Sequence, residues 1–178
     1  MFSCVIELKD VFVPDNNRLA KADSFDKGLN VVLMVSRLTI TFITLGAMAG
    51  AFEHAYHYAM KRVQFGKPIA GFQLTQERMV RTLGEIESCI TFLIRVTHNF
   101  QEGKATMGQI AMAKAHVTRV ARDTVRTARE MMGANGVLWE NYAIKHMIDI
   151  EAGHTGEGTY DVNVLISGRE LTGLAAFK

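Results

Sequence analysis

From Leu29 to Phe52 the chain reads LNVVLMVSRLTITFITLGAMAGAF, apolar at nearly every position and without a recurring polar face. A helix that is apolar all round is either buried in protein or spans a membrane. Arg37 lies inside this run, and an arginine at mid-bilayer costs about 2.5–3.5 kcal/mol on insertion scales. Ser36, Thr39, Thr41 and Thr44 dilute the run further. The expectation is a core helix from about Asp26 to Arg62 and no membrane span, with Gly66 and Pro68 of FGKP breaking it.

The later pattern is also helical. Met79, Leu83, Ile86, Ile90, Leu93, Ile94 and Thr97 mark the apolar face of a second helix, about Gln73 to Glu102, which Gly103 stops. Thr106 is a candidate N-cap for a third, Gly108 to Met132, closed by Gly133. A shorter helix is expected around Trp139 to Ile150, and a last one from near Thr159 to about Leu171. Long helices joined by short connections predict an all-α, up-and-down antiparallel bundle over residues 26–178. Ahead of it, CVIELKDVFVPDNNRL alternates as a strand would and closes on the turn residues Pro14 to Asn17. One or two strands form no stable sheet alone.

Composition narrows the class. The chain has 178 residues, 48% hydrophobic and 21% charged, which suits one folded domain with a sizeable core. A net charge of +2 gives no footprint for nucleic acid. Cys4 and Cys89 stand alone, without metal-ligand spacing, so no metal site or disulfide framework is expected and the compartment reads as reducing. MFSCVIELKD has no secretory pattern, and LAAFK carries neither a peroxisomal tripeptide nor a prenylation motif.

Five stretches carry candidate chemistry. Arg119, Arg122, Arg126 and Arg129 share one helix face, read either as a salt-bridged surface beside Asp123 and Glu130 or as a stripe for phosphates or a partner subunit. Glu53, His54 and His57 fall within about one helical turn, too few for a structural metal. In KRVQFGKPIAGFQLTQ, Arg62, Gln64, Lys67, Gln73 and Gln76 surround Phe65 and Phe72. They offer a guanidinium for phosphate, amides for ring edges and aromatic faces, or else only a solvated turn. MMGANGVLWE places Gly133 and Gly136 at a helix end, as a plain cap or as a close approach to a phosphate or flat ring. HTGEGTYDVN isolates Glu157 between two glycines, where a carboxylate could accept a proton or merely face water.

Taken in order, DVFVPDNNRL, RVQFGKPIAGFQLTQ, REMMGANGV and EGTYDVNVLISGRELTG resemble the C-terminal part of an acyl-CoA dehydrogenase. The last stretch is most similar to the glutaryl-CoA dehydrogenase branch and the short-chain acyl-CoA oxidases. The resemblance covers nearly the whole chain. It implies that residues 1–25 are the end of a middle β domain with its linker, and that the rest of that domain and an N-terminal helical domain would lie upstream.

The family reaction takes an α-hydrogen as a proton while FAD accepts the β-hydrogen as a hydride. By resemblance Glu157 is the base, and a carboxylate shielded from water suits that task. Gly158 lets the chain turn so that Glu157 faces substrate, and Thr159 caps the next helix and meets the flavin. Arg62, Gln64 and Phe65 match a loop that reaches FAD in a neighbouring subunit. Gln73 lies on the same adenine-side path, Gly133, Asn135 and Gly136 match the turn at the FAD diphosphate, and Arg37 matches a helix arginine near the substrate pocket. The implied partners are an acyl-CoA, further copies of the chain as a dimer or tetramer, and an electron-transfer flavoprotein, or O2 in an oxidase. The implied location is the mitochondrial matrix or cytoplasm, or the peroxisome for an oxidase. Gly156 stands where the family has a tyrosine, and Ala134 where it has a second glycine. A non-catalytic, oligomerising helical module is the rival reading.

Overall fold

Small side chains let one helix run through the middle of the molecule. This is α3 (Met107–Met131), whose Ala111, Ala113, Ala121 and Ala128 are wholly buried. It packs against all four other helices: α1 (Phe25–Lys61), α2 (Gln73–Gln101), α4 (Ala143–Thr155) and α5 (Tyr160–Thr172). The computed structural model describes residues 4–18 and 24–176, the side chains of 25–28 excepted. Thr106 starts α3 with a capping box, its hydroxyl accepting from the Gln109 amide while the Gln109 side chain accepts from Thr106 N–H. Glu170 of α5 reaches the same end, taking hydrogen bonds from the Thr106 hydroxyl and, at 2.9 Å, from Gly108 N–H.

The expected all-α bundle is what the chain forms. α1 is long and apolar enough to cross a bilayer by length and composition. In the fold it is a core helix: Leu38, Leu45, Met48, Ala51, Ala55 and Ala59 lie in the buried cluster shared with α2 and α3. Its other side keeps Val31, Val32, Val35, Phe42 and Ile43 exposed.

Three expectations change. The buried face of α2 is Thr82, Ile86, Cys89, Leu93 and Val96. Leu83 and Ile94, expected inside, are exposed, while the smaller Thr82 and Cys89 take the fully buried positions. The helix expected from Trp139 to Ile150 is instead a 3-10 turn over Trp139–Asn141, a break at Tyr142 with φ of 60°, and then α4. Residues 4–14 form no strand: Val5, Ile6, Leu8 and Phe12 are exposed and the segment pairs with nothing among the described residues. Part of the linker read before residue 25, residues 19–23, lies outside the described residues. The interhelical loop instead forms a minimal hairpin, β1 (Val63–Gln64) paired antiparallel with β2 (Lys67–Pro68).

Overpacking α1 tests the close approach of the helices. Ala55→Leu is expected to lower unfolding free energy by about 1–3 kcal/mol in urea titrations. Val80→Thr, on the exposed side of α2, should stay within about 0.5 kcal/mol of the parent.

Candidate active site

The link between α4 and α5, Gly156 to Thr159, carries the glutamate singled out in the sequence. Glu157 has a φ of 58° and Gly158 a φ of 95°. For a side chain as large as glutamate the left-handed region is unfavourable by about 1–3 kcal/mol and persists only when surroundings over-determine it. Here they do. Arg37 Nε donates to Glu157 O at 3.1 Å. Lys114 Nζ donates to His154 O at 2.7 Å and to Gly158 O at 2.6 Å. Asn163 Nδ2 donates to Gly158 O at 2.8 Å and to Thr159 O at 3.0 Å. Thr159 caps α5 as expected, accepting from Val162 N–H. A Cβ on Gly158 would stand 3.0 Å from Asn163 Nδ2, so the tight turn favours glycine both by φ and by space.

With its backbone fixed, the Glu157 side chain reaches α1. Ser36 Oγ donates to Glu157 Oε2 at 2.6 Å. Glu157 thereby sits at the edge of an open groove of about 590 Å³, otherwise lined by Val31, Val32, Val35, Thr39, Ile40 and Ile43. The carboxylate is exposed within this chain, contrary to the shielded base expected from the resemblance. Shielding would have to come from whatever covers the groove.

Two buried cations lie under the turn. Arg37, expected beside substrate, is 5% exposed, donates to Glu157 O and Met107 Sδ, and does not line the groove. Burial lowers its guanidinium from the usual arginine value, opposed by Glu157. Lys114 is fully buried, and burial, with Arg37 adding to it and Glu157 opposing, brings its ammonium from 10.5 to about 8.

The remaining predicted residues gather at the far end of α1. From Ser36 to Lys61 the helix rises about 37 Å at 1.5 Å per residue. Arg62 is exposed and lines a cleft of about 370 Å³ with His54, Tyr58, Met132 and Asn141, next to the Gly133–Val137 turn. Its guanidinium makes no ion pair among the described residues. Phe65 tops the hairpin at 92% exposure with a φ of 51°, the second strained site residue. Phe72 meets it edge-on at 6.2 Å, and Lys67 lies over Phe72 while donating to Gly71 O. Gln64 and Gln73 are exposed beside them. Asn135 donates to the Tyr58 hydroxyl at 2.9 Å, so its side chain holds the turn against α1. Gly136 is buried where a Cβ would come within 2.2 Å of Arg129 O.

The arginine stripe is a salt-bridged surface: Arg119 pairs with Asp123, Arg122 with Glu151 and Arg126 with Glu130. His57 faces Glu53 at 3.8 Å, and no group of three or more His, Cys, Asp or Glu able to hold a metal occurs among the described residues.

Ser36, Lys114 and Asn163 are not among the site residues expected from the sequence. For Lys114 a signal existed: it shares a helical face with Ile110, Val117 and Ala121, a charge in an apolar stripe. Ser36 and Asn163 gave none, since their roles depend on which helices meet.

Residues 26–172 match the model described as the acyl-CoA dehydrogenase, C-terminal domain. A glutaryl-CoA dehydrogenase structure from Mycobacterium smegmatis is 34% identical with a TM-score of 0.88, over 93% of this chain and 43% of that one. A second structure of a glutaryl-CoA dehydrogenase from the same organism, in complex with FADH2, is 29% identical with a TM-score of 0.84, over 88% and 40%. The short-chain-specific acyl-CoA dehydrogenase of Megasphaera elsdenii is 29% identical over 92% of this chain and 43% of its own length. The chain thus spans less than half the length of these relatives.

Two measurements follow from the site's packing. Gly136→Ala, forced against the Arg129 carbonyl, should destabilise the fold by about 1–3 kcal/mol in denaturant titration. Burial lowers His154 below the usual 6.5, with Arg122 and Lys114 adding and Glu151 and Asp161 opposing. The unfolded chain then takes up a proton near pH 6.5 before the folded chain does, so stability held above that pH falls as pH drops through and below it. Thermal unfolding should show this acid decline, and His154→Gln should make it shallower.

Proposed function

Because the chain belongs to the acyl-CoA dehydrogenase family, matching its C-terminal domain, we propose that it forms the helical part of an FAD-dependent enzyme that dehydrogenates acyl-CoA thioesters between the α- and β-carbons. The observation that carries this reading is the Glu157 carboxylate, held by a strained backbone and the Ser36 hydroxyl at the edge of an apolar groove. When bound, FAD supplies the two-electron acceptor for the β-hydrogen. Glu157 takes the α-proton on a carboxylate oxygen, and the electron pair of the broken α-C–H bond becomes the new double bond. An acyl chain lying along Val31, Val35 and Ile40 excludes water from the carboxylate, which strengthens it as a base. Ser36 fixes which oxygen faces the substrate. In this reading residues 1–25 belong to the end of the preceding β domain.

The far end of α1 suits a cofactor in what it leaves free. Arg62 has an uncommitted guanidinium, Phe65 an exposed ring on a strained turn, and the Gly133–Val137 turn a close-packed backbone. Arg62, Gln64, Phe65, Gln73, Gly133, Asn135 and Gly136 would hold the diphosphate and adenine side of FAD, and Thr159 the flavin side near Glu157. About 37 Å of helix separates the two groups, which supports an oligomer in which the outward hairpin of one copy serves the groove of another. Electrons would leave to an electron-transfer flavoprotein or to O2. The exposure of Glu157 in this chain supports a second reading, a helical module that assembles without catalysing.

Incubation with FAD followed by desalting separates the two. Retained flavin absorption that bleaches on adding a short-chain acyl-CoA supports the enzyme, and a colourless protein supports the module. In the flavin-bound protein Glu157→Gln should keep the flavin bands and slow bleaching by about 10²–10⁴-fold.

A further inference from the structure

Lys114 lies in the first half of α3, on the stripe formed by Ile110, Val117 and Ala121, all without solvent exposure. Taking an ammonium out of water is unfavourable by several kcal/mol unless its protons are well placed. At Lys114 they are. His154 lies in the last turn of α4, where helical carbonyls lack intrahelical partners and carry the negative end of the helix dipole. Lys114 Nζ meets the His154 carbonyl there, and the same nitrogen meets Gly158 O on the far side of the turn. Glu157 is thus bracketed between the two carbonyls one side chain holds. The next turn of α3 adds a second grip, since Thr118 Oγ1 lies 3.1 Å from His154 Nδ1.

We infer that Lys114 is a positioning residue for Glu157: its ammonium ties the end of α4 to the start of α5 and thereby holds the left-handed backbone that aims the carboxylate at Ser36 and the groove. The inference rests on Glu157 being the proton acceptor, but the geometry of the tie does not. Arg37 and Asn163 hold single sides of the turn, through Glu157 O and through the Gly158 and Thr159 carbonyls. Lys114 alone among the three spans it from helix end to helix start.

The test uses the native protein with flavin bound, as Lys114→Met and Lys114→Arg. Methionine keeps the length and the packing while removing the donors. Lys114→Met should lower kcat by about 10- to 100-fold, the effect of a slightly misplaced reacting group, with KM unchanged. The Gly156 amide, which donates to Ala152 O at 2.8 Å, should exchange faster with solvent while α1 and α2 amides keep their protection. Lys114→Arg should restore part of both. In a folded Lys114→Met protein, unchanged exchange at Gly156 or an intact kcat would each overturn the inference. If the parent protein shows no glutamate-dependent turnover, the dehydrogenase reading fails by itself and Gly156 exchange still decides the role of Lys114. Should Lys114→Met not fold, the ammonium protons of Lys114 in the parent protein decide: slowly exchanging signals close to His154 and Gly158 support the tie, and rapidly exchanging ones overturn it.

Discussion

A helix that ends against its neighbours leaves carbonyl oxygens that must find donors, and at the end of α4 those donors are side chains from three other helices. Lys114 from α3, Arg37 from α1 and Asn163 from α5 satisfy the carbonyls of His154, Glu157, Gly158 and Thr159. Each donor is buried, so each would be unfavourable without the turn, and the turn would be unsatisfied without them. That mutual dependence converts a four-residue link into a rigid mount for one carboxylate. It also explains why two basic residues, Arg37 and Lys114, lie within an interior whose other described side chains are uncharged.

The same interaction places the carboxylate relative to everything else. α3 holds the turn in register with α1, because both helices are packed through alanines with little room to slide. Ser36 is thereby presented to Glu157, and the valines and isoleucines of α1 beside it become one wall of a groove. α1 then runs about 37 Å to the hairpin at its other end. The length of one helix decides that the Glu157 end and the Arg62 end of this chain cannot form one compact site.

Strain marks both ends. Among the described residues four that are not glycine have positive φ, and Glu157 and Phe65 are two of them. One points a carboxylate along an apolar groove, and the other raises an aromatic ring into solvent. Neither conformation is what the residue would choose, so each is maintained by packing and hydrogen bonds around it.

The pattern of the sequence determined the five-helix content, the extents of α1, α2 and α3, the Thr106 and Thr159 caps, and the glycine-flanked glutamate. These are local properties: period, capping chemistry and turn residues act within a few positions. Four segments taken in order also carried the resemblance to the family. Tertiary structure alone decided which face of α2 is inside, where the small Thr82 and Cys89 are buried and Leu83 and Ile94 are not. It carried α4 through to Thr155, where Lys114 takes a carbonyl, and it turned Arg37 from the groove to the underside of the turn. It paired Ser36 with Glu157 across 121 positions of chain. Hydrogen bonds between residues so far apart leave no periodic trace in the sequence, because they depend on how whole helices meet.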